Sequence, residues 1–428
     1  MLEFLLFIFM FMFMKLFINV NFLFLISFIM IFYLNWIEWS MLIIDFGMNF
    51  YSYGLTILLI WMMNLIVMNL NNYWSINLNM IMMIFMFMNF QSMNFMIFYF
   101  MFESSLLLIF IMILKWGYSI NRFMAGYYIM FYTLIFSLPM LYIIMYIYWF
   151  NNTLSFYLLE FYMYWNFNFL TFWLMMTFLV KIPIYMSHSW LLKAHVEAPY
   201  FNSMILASLM LKLGGYGMLR LIILFKNNMF FFINMIMNIS MLGMIILSLF
   251  CLRQIDMKMI VAISSIIHMG LMLIGMMTFF YSGMLGGYLM MIAHGMSSSG
   301  LFYLVNLIYK ETYSRLIIIN KGMMKFMPSL SLMWFLLCSS NMAAPMSLNL
   351  ISEIMLLMSL MIWFKLFMIL LFMYCILSFL YSLYLFSILQ HGSSNMFMKL
   401  FNSKMLNYFN LIMHWLPLNI LILNLYFI

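Results

Sequence analysis

Residues 205–220 read ILASLMLKLGGYGMLR and carry a lysine, Lys212, deep inside an apolar run that begins near residue 200. An ionisable side chain at the centre of a membrane span costs ~2.5–3.5 kcal/mol on insertion scales. A lysine can avoid this cost only within about one or two helical turns of the interface, and Lys212 lies too deep for that. The stretch therefore predicts a membrane-spanning helix whose lysine has a functional role.

The rest of the chain has the same apolar character. Its 428 residues include 17 basic and 9 acidic side chains, so 6% are charged, whereas 69% are hydrophobic and the mean hydropathy is +1.14. A soluble domain has about a quarter of its residues charged. This composition excludes a soluble enzyme, a single-span receptor and a nucleic-acid-binding protein. It predicts an all-α polytopic membrane protein of about 14 transmembrane helices, at ~20 apolar residues per span plus a connector.

Apolar runs between polar, glycine or proline residues predict the individual spans. They cover residues 2–18, 20–37, 50–70, 76–96, 97–115, 124–149, 169–193, 200–225, 229–250, 257–279, 283–308, 328–350, 352–389 and 408–428. The run 352–389 is long for one span and is expected to include the end of its predecessor. Because no linker separates the runs, residues 1–428 are predicted to form a single transmembrane domain.

Basic residues follow mainly the odd-numbered spans, with Lys226 as the main exception, and most acidic connectors follow even-numbered ones. This asymmetry matches the positive-inside rule. It predicts an even number of spans, 14 or 12, with both termini on the face opposite the basic loops. The start of the chain has no basic n-region, no small-residue cleavage site and no Arg- and Ser-rich stretch, so neither a signal peptide nor a transit peptide is expected; 60 Met and 50 Phe residues favour organelle coding.

Three further ionisable residues lie in or beside spans: Glu103, Lys181 and Glu353. Glu103 has no cation near it in sequence, so its partner is expected on another helix. A buried Glu and Lys can neutralise one another by charge pairing or by sharing a proton, and a third charge nearby changes that balance. With Lys212, these residues predict a switchable proton site.

Prolines predict two breaks in the helices. Pro183 follows Lys181 by two residues, and Pro345 precedes Glu353 in NMAAPMSLNLISEI. Proline removes a backbone donor and clashes with the preceding turn. Interrupted helices at membrane depth are tolerated where they line a water-filled cavity, and a corresponding pair of them indicates a translocation site.

Histidines are candidate proton carriers, although a buried neutral histidine bonded to a carbonyl is equally common. Four of the six lie in spans or at a break: His188, His195, His268 and His294. His391 and His414 lie near connectors, and we expect both to be solvated. A metal site of His188, His195 and Glu197 has suitable ligand types but no familiar spacing, so no metal is predicted.

Four stretches carry a family resemblance: VKIPIYMSHSWLLKAHVEAP (180–199), MILASLMLKLGGYGMLRL (204–221), CLRQIDMKMIVAISSIIHMG (251–270) and MIAHGMSSSGLFYLVN (291–306). They closely resemble the chain 4 family of mitochondrial NADH:ubiquinone oxidoreductase, respiratory complex I. The likeness runs in one order across roughly 90–420, and KAHVEAP and LKLGGYG are highly specific.

The resemblance implies an antiporter-like fold of fourteen helices, with two inverted five-helix repeats and one broken helix in each. It implies N-terminal helices over 1–75, a first repeat over 76–225 with its break near Lys181, a second repeat over 229–390 with its break near Pro345, and a C-terminal helix over 408–428.

The resemblance also implies roles for single residues. Glu103 and Lys181 would form a coupled pair, Lys212 would be the central proton carrier, and Glu353 would be the terminal site. His268 and His294 are expected to bridge the line between the last two. Secondary candidates lie at or beside the first break: His188, Lys193, His195 and Glu197.

This chain departs from the family pattern at three places. It has Leu192 where the family usually has Pro, and Asn121 where the family has an acid. After AP it has Tyr200, Phe201 and Asn202 in place of a small Ser-Gly pair. The Leu192 and Tyr200 differences alter the segment beside the broken helix, and none of the three removes a proton carrier.

The implied activity is proton translocation coupled to quinone reduction elsewhere in the complex, as a subunit of an NADH:ubiquinone reductase. The sequence has no nucleotide, flavin, quinone or cluster signature, so NADH, FMN, iron–sulfur clusters and ubiquinone are expected in partner subunits. The expected partners are other membrane-arm subunits, including the sister antiporter-like chains, and phospholipids, but no nucleic acid. The expected location is the mitochondrial inner membrane, with basic loops on the matrix side and both termini on the intermembrane-space side.

Three alternatives stay open. A free-standing cation/proton antiporter would use the same carriers, and a purely structural membrane-arm scaffold would need only packing. A sister antiporter-like chain of the complex would share the fold, although the long lateral C-terminal helix typical of the largest sister is not predicted here.

Overall fold

The computed structural model describes residues 40–43, 45–70, 72–162, 168–392 and 404–423. Ten helical segments in this part of the chain are long and apolar enough to cross a membrane, two of them between Tyr200 and Cys251, and two shorter apolar helices end at Lys181 and Trp363. The predicted all-α polytopic class is therefore confirmed. The predicted spans 2–18 and 20–37 lie outside the described residues.

A short hairpin precedes the helices. Its strands are β1 (Ser40–Ile43) and β2 (Phe46–Met48). The helices up to the first break are α1 (Phe50–Met68), α2 (Tyr73–Gln91), α3 (Phe95–Trp116), α4 (Arg122–Asn151), α5 (Phe156–Tyr162) and α6 (Asn168–Lys181). Those after it are α7 (Ser189–Glu197), α8 (Tyr200–Ile205), a π-helical turn (Leu206–Met210), α9 (Leu211–Cys251), α10 (Met257–Met277), α11 (Tyr281–Thr312), α12 (Met323–Phe326), α13 (Pro328–Asn341), α14 (Leu348–Trp363), α15 (Phe367–Gln390) and α16 (Met405–Leu423).

The hairpin was not expected from the sequence, which indicated only a connector before residue 50. Strands β1 and β2 pair antiparallel, with Ser40 opposite Met48. The turn of the hairpin is bonded to the segment after α2: the backbone N–H of Met93 donates to the carbonyl oxygen of Asp45 at 2.8 Å. Strands of three or four residues are too short to show a clear alternation of apolar and polar side chains. The sequence of this connector therefore does not predict them.

The first predicted break is present. Helix α6 ends at Lys181, Pro183 follows in a non-helical turn, and α7 begins at Ser189. Proline cannot donate a helical hydrogen bond and its ring clashes with the preceding turn, so the helix ends before it. Lys181 consequently lies at the end of a helix that stops inside the apolar region.

The second predicted break is also present. Helix α13 ends at Asn341 and α14 begins at Leu348, and Ala343 and Met346 between them have φ of 58° and 66°. The Asn349 side chain donates from Nδ2 to the carbonyl oxygen of Ser340 at 2.7 Å. A side chain thus occupies a carbonyl that the interrupted helix leaves without its helical partner.

The two spans predicted on either side of residues 226–228 are both present, but no connector separates them. The sequence indicated two spans, 200–225 and 229–250, with a connector at residues 226–228. The candidate spans are Tyr200–Leu224 and Phe232–Cys251, and the residues between them belong to the helix Leu211–Cys251. The intervening Lys-Asn-Asn includes no glycine or proline, and polarity alone does not end a helix.

The described residues form two compact units. The first contains residues up to Lys181 together with 212–231, and the second contains 182–211 together with residues from 232 onwards. In the first unit, rings from three helices form the core: Phe98 and Phe102 of α3, Phe178 of α6 and Tyr216 of α9. In the second unit, α11 is buried over most of its length and packs against α10 and α14.

Close helix packing in the second unit depends on Gly283 of α11. A Cβ added there would lie 2.3 Å from the backbone oxygen of Gly275 on α10. Backbone cannot move aside as a flexible side chain does, so the two helices can be this close only with glycine at position 283.

We predict that Gly283→Ala destabilises the protein by about 1–3 kcal/mol, because the added methyl overpacks the contact. The measurement is the thermal-unfolding midpoint of the purified protein in detergent. The matched control is Gly270→Ala, where the nearest atom is Cγ of the flexible Met244 at 3.0 Å. Equal midpoints for the two variants would contradict the prediction.

Candidate functional site

The first unit brings Glu103 and Lys181 together. Oε1 of Glu103, on α3, lies 3.9 Å from Nζ of Lys181, at the end of α6. The Lys181 side chain is 4% exposed and that of Glu103 16%. Lys181 also donates from Nζ to the carbonyl oxygen of Phe102 at 3.5 Å. The expectation of a partner for Glu103 on another helix is met by this lysine.

Aromatic rings enclose this pair. The Lys181 ammonium lies over the ring of Phe102, whose other neighbour is Phe178 with ring centroids 5.4 Å apart. A ring face attracts a cation and excludes water, so the pair is held in a medium of low polarity. In such a medium, two opposite charges interact more strongly than they do in water.

Lys212 is the second residue of α9 and is fully buried, with 0% exposure. The π-helical turn Leu206–Met210 immediately precedes α9. At Gly217 an added Cβ would lie 2.1 Å from the ring of Phe178 on α6, so α9 and α6 approach closely one turn beyond the lysine. We call Glu103, Lys181 and Lys212 the first cluster.

The second unit brings His268 and Glu353 together. Nδ1 of His268, on α10, lies 3.3 Å from Oε1 of Glu353, on α14. Two tyrosines of α15 complete the surroundings of the imidazole: the hydroxyl of Tyr381 lies 3.1 Å from Nε2 and that of Tyr374 lies 3.5 Å from Nδ1. The tyrosines were not singled out from the sequence, since Tyr is frequent throughout the chain.

His294 of α11 extends this group. Its ring centroid lies 5.7 Å from that of His268, and both side chains are 1% exposed. We call His268, His294 and Glu353 the second cluster. Its members come from three different helices, and their approach could not be read from sequence spacing.

The four secondary candidates lie on or next to α7. His188 precedes the helix, and its Nδ1 contacts the carbonyl oxygen of Tyr185. His195 is fully buried and stacks on Phe302, with centroids 4.7 Å apart. Lys193 is exposed and Glu197 is half-buried. Among the described residues no group of His, Cys, Asp and Glu side chains is arranged to hold a metal.

Two cations at the C-terminal end of α7 were missed as site residues. Lys258 donates from Nζ to the carbonyl oxygen of Ala198 at 3.0 Å, and Arg315 donates from Nη1 to that of Val196 at 2.7 Å. The carbonyls at the end of a helix lack intrahelical partners and carry partial negative charge. In the sequence both residues lie in connectors or at span ends, where they were interpreted only as topology signals.

The expectation that His414 is solvated is wrong, whereas His391 is exposed as expected. His414 is 0% exposed on α16, and its Nδ1 lies 3.2 Å from Oγ of Ser299 on α11. A Cβ added at Gly300 would lie 3.2 Å from Cβ of His414, so the lack of a side chain there allows α16 to pack tightly.

Each cluster can hold and release protons. The first pairs a carboxylate with an ammonium, and the second places a carboxylate, two imidazoles and two phenols on neighbouring helices. Buried groups of this kind neutralise one another, and a change of charge in one alters proton binding by its neighbours.

Comparison with known proteins shows the family of this chain. Residues 92–380 match the family described as NADH:quinone oxidoreductase/Mrp antiporter, transmembrane. The chain is 55% identical to "NADH-ubiquinone oxidoreductase chain 4" of Apis mellifera ligustica over 401 residues, 93% of this chain and 90% of that protein. The chain belongs to the NADH-ubiquinone oxidoreductase chain 4 family.

Other members of the chain 4 family are also similar over most of their length. The Locusta migratoria protein is 40% identical over 412 residues, 93% of this chain and 92% of that one. Among solved structures, a chain of respiratory complex I from Thermus thermophilus with bound NADH has a TM-score of 0.87 at 20% identity, covering 96% of this chain and 91% of that one. A chain of the Mrp complex from Dietzia sp. DQ12-45-1b has a TM-score of 0.82 at 15% identity, covering 94% and 46%.

We predict that Arg315→Gln weakens the C-terminal end of α7 by about 1–3 kcal/mol, because the carbonyl of Val196 loses a charged donor. Amide hydrogen exchange measured by mass spectrometry should become faster across α7. Arg253→Gln is the control, since Arg253 is an exposed arginine in a connector. Unchanged exchange in α7 of the Arg315 variant would contradict the proposed contact.

Proposed function

We propose that this chain is a proton-translocating membrane-arm subunit of NADH:ubiquinone oxidoreductase, respiratory complex I. It would couple quinone reduction in other subunits to proton pumping through buried Glu, Lys and His side chains. The NADH-ubiquinone oxidoreductase chain 4 family supports the assignment to the complex.

One observation carries the pumping role: each broken helix supplies an ionisable side chain to a buried cluster. Lys181 ends α6 at the first break and faces Glu103, whereas Glu353 lies in α14, just after the second break, and faces His268. Lipid contributes no charge partner and no water at this depth, so such groups are costly unless they have a function.

The first cluster would act as the switch. When the distance or protonation of Glu103 and Lys181 changes, the field at Lys212 changes with it. Two unit charges 4 Å apart interact by about 4 kcal/mol at an effective dielectric constant of ~20. Since 1.4 kcal/mol corresponds to a factor of ten in an equilibrium, an interaction of this size is large enough to load or unload a lysine.

The second cluster would then carry the proton onward. His294 and His268 would pass it to Glu353, from which it leaves on the opposite face of the membrane. An imidazole suits this step because it can accept a proton at one nitrogen and release one at the other. Tyr374 and Tyr381 would orient His268 through their hydroxyl groups.

The location and partners form part of the same proposal. The chain would lie in the mitochondrial inner membrane, with its basic loops on the matrix side and both termini on the intermembrane-space side. Its partners would be membrane-arm subunits, including the sister antiporter-like chains, and phospholipids. NADH, FMN, iron–sulfur clusters and ubiquinone would belong to partner subunits. Residues 76–225 and 229–390 would form the two inverted repeats.

We predict that Lys212→Met and Glu103→Gln leave the complex assembled but lower the number of protons pumped per NADH oxidised. Each variant removes a proton carrier or its control charge while retaining a side chain of similar size. The measurement is proton uptake and NADH oxidation in membrane vesicles containing the assembled complex. Lys365→Gln, which changes an exposed lysine, is the control and should pump normally.

Two results would contradict this function. Unchanged pumping by assembled complex with Lys212→Met and Glu103→Gln would favour a structural scaffold. Exchange of Na⁺ or K⁺ for protons by the isolated chain in liposomes, without an NADH-driven partner, would favour a free-standing antiporter.

A further inference from the structure

The last helix of the second unit directs polar side chains towards α11. Asn407, Asn410 and His414 of α16 are three and four residues apart, which places them on one side of the helix. Asn410 and His414 are both 0% exposed. A lipid-facing C-terminal helix would not need polar residues on its buried side, so these side chains require an explanation.

Helix α11 has a matching polar side. Ser299, Tyr303, Asn306 and Lys310 follow one another at steps of four, three and four residues, so they too share one side of a helix. We call these four residues, together with Asn407, Asn410 and His414, the polar ladder.

Direct contacts join the two sides of the polar ladder. The hydroxyl of Tyr303 donates to Oδ1 of Asn407 at 3.0 Å. One helical turn further into the unit, Oγ of Ser299 lies 3.2 Å from Nδ1 of His414. These contacts make the ladder continuous over about two turns of each helix.

Two buried groups of the polar ladder have no hydrogen-bond partner among the described residues. They are Nε2 of His414 and Nδ2 of Asn306. A buried polar group without a partner costs about 1–3 kcal/mol. Water molecules between the helices would remove this cost, since buried waters occupy sites lined by otherwise unsatisfied polar groups.

The ladder has a charged end and an imidazole end. At the first, Nζ of Lys310 lies 5.1 Å from the ring centre of Tyr200. At the second, His294 is five residues before Ser299 on α11, and its carbonyl accepts a hydrogen bond from Ser298 at 2.6 Å. His294 belongs to the second cluster.

We infer that the polar ladder is a hydrated proton route from the basic end of the second unit to His294, with His414 as its proton carrier. The inference rests on the proposed function, because it supplies protons to the second cluster. It gives that cluster its own access to the basic face, within one unit of the protein.

The proton transfer balances without any co-reactant. An excess proton that enters from the basic end as hydronium transfers to Nε2 of His414, which breaks one O–H bond, forms one N–H bond and leaves neutral water. The imidazole then releases a proton from Nδ1 towards Ser299 and water next to His294. His414 returns to its neutral form once the ring has exchanged its two N–H positions, so the net change is one proton moved.

Cysteine labelling tests whether the ladder is hydrated. Asn306→Cys should react with a small membrane-impermeant thiosulfonate reagent applied from the side of the basic loops, in membranes containing the assembled complex. Val305→Cys is the matched control, because Val305 is the adjacent residue, is 0% exposed and lies off the ladder. Reaction of neither cysteine, or of both equally, would overturn the inference.

Pumping tests whether His414 carries the proton. Glutamine can retain a hydrogen bond to Ser299 but cannot carry a proton, so His414→Gln should lose the same fraction of pumped protons per NADH as Glu353→Gln. Normal pumping by His414→Gln with impaired pumping by Glu353→Gln would overturn the route and leave the proposed function intact. Normal pumping by both would overturn the function itself. If the complex with His414→Gln does not assemble, the labelling of Asn306→Cys against Val305→Cys decides whether the inferred route is retained or rejected.

Discussion

The cost of an unpaired polar group in an apolar medium governs this structure. Lys181 is buried at the end of a helix and is compensated by Glu103 and the carbonyl of Phe102. The same constraint accounts for the cations at the end of α7 and for the amide that bridges the second break. The end of a helix leaves carbonyls without intrahelical partners, and side chains donate to such carbonyls at the end of α7 and at the second break.

The breaks also position the chemistry. A continuous helix would spread ionisable residues along its length, whereas a helix that stops inside the apolar region presents its terminal residue to neighbouring helices. Lys181 is such a terminal residue, Glu353 lies in the second turn of the helix that follows the other break, and each has a titratable neighbour within 4 Å. Backbone geometry and proton chemistry therefore depend on the same two prolines, Pro183 and Pro345.

Much of this could be predicted from the sequence because charge is so rare in it. A lysine within an apolar run is easily recognised among Met, Phe and Ile residues. So is a proline that follows such a lysine by two residues. The faces of the helices could not be predicted, since lipid-exposed and buried sides are equally apolar and periodicity carries little signal. This is why His414 was placed in solvent, why Tyr374 and Tyr381 were not singled out, and why a helix continues through the polar residues 226–228.

Tyr200 shows how a departure from the family pattern is absorbed. Where relatives usually have a small pair after AP, this chain has an aromatic ring that lies over the ammonium of Lys310. Exchanging the segment around Tyr200 for one without an aromatic residue would remove this contact with the lysine. Hybrids built from two such chains should therefore be joined so that both residues come from the same parent.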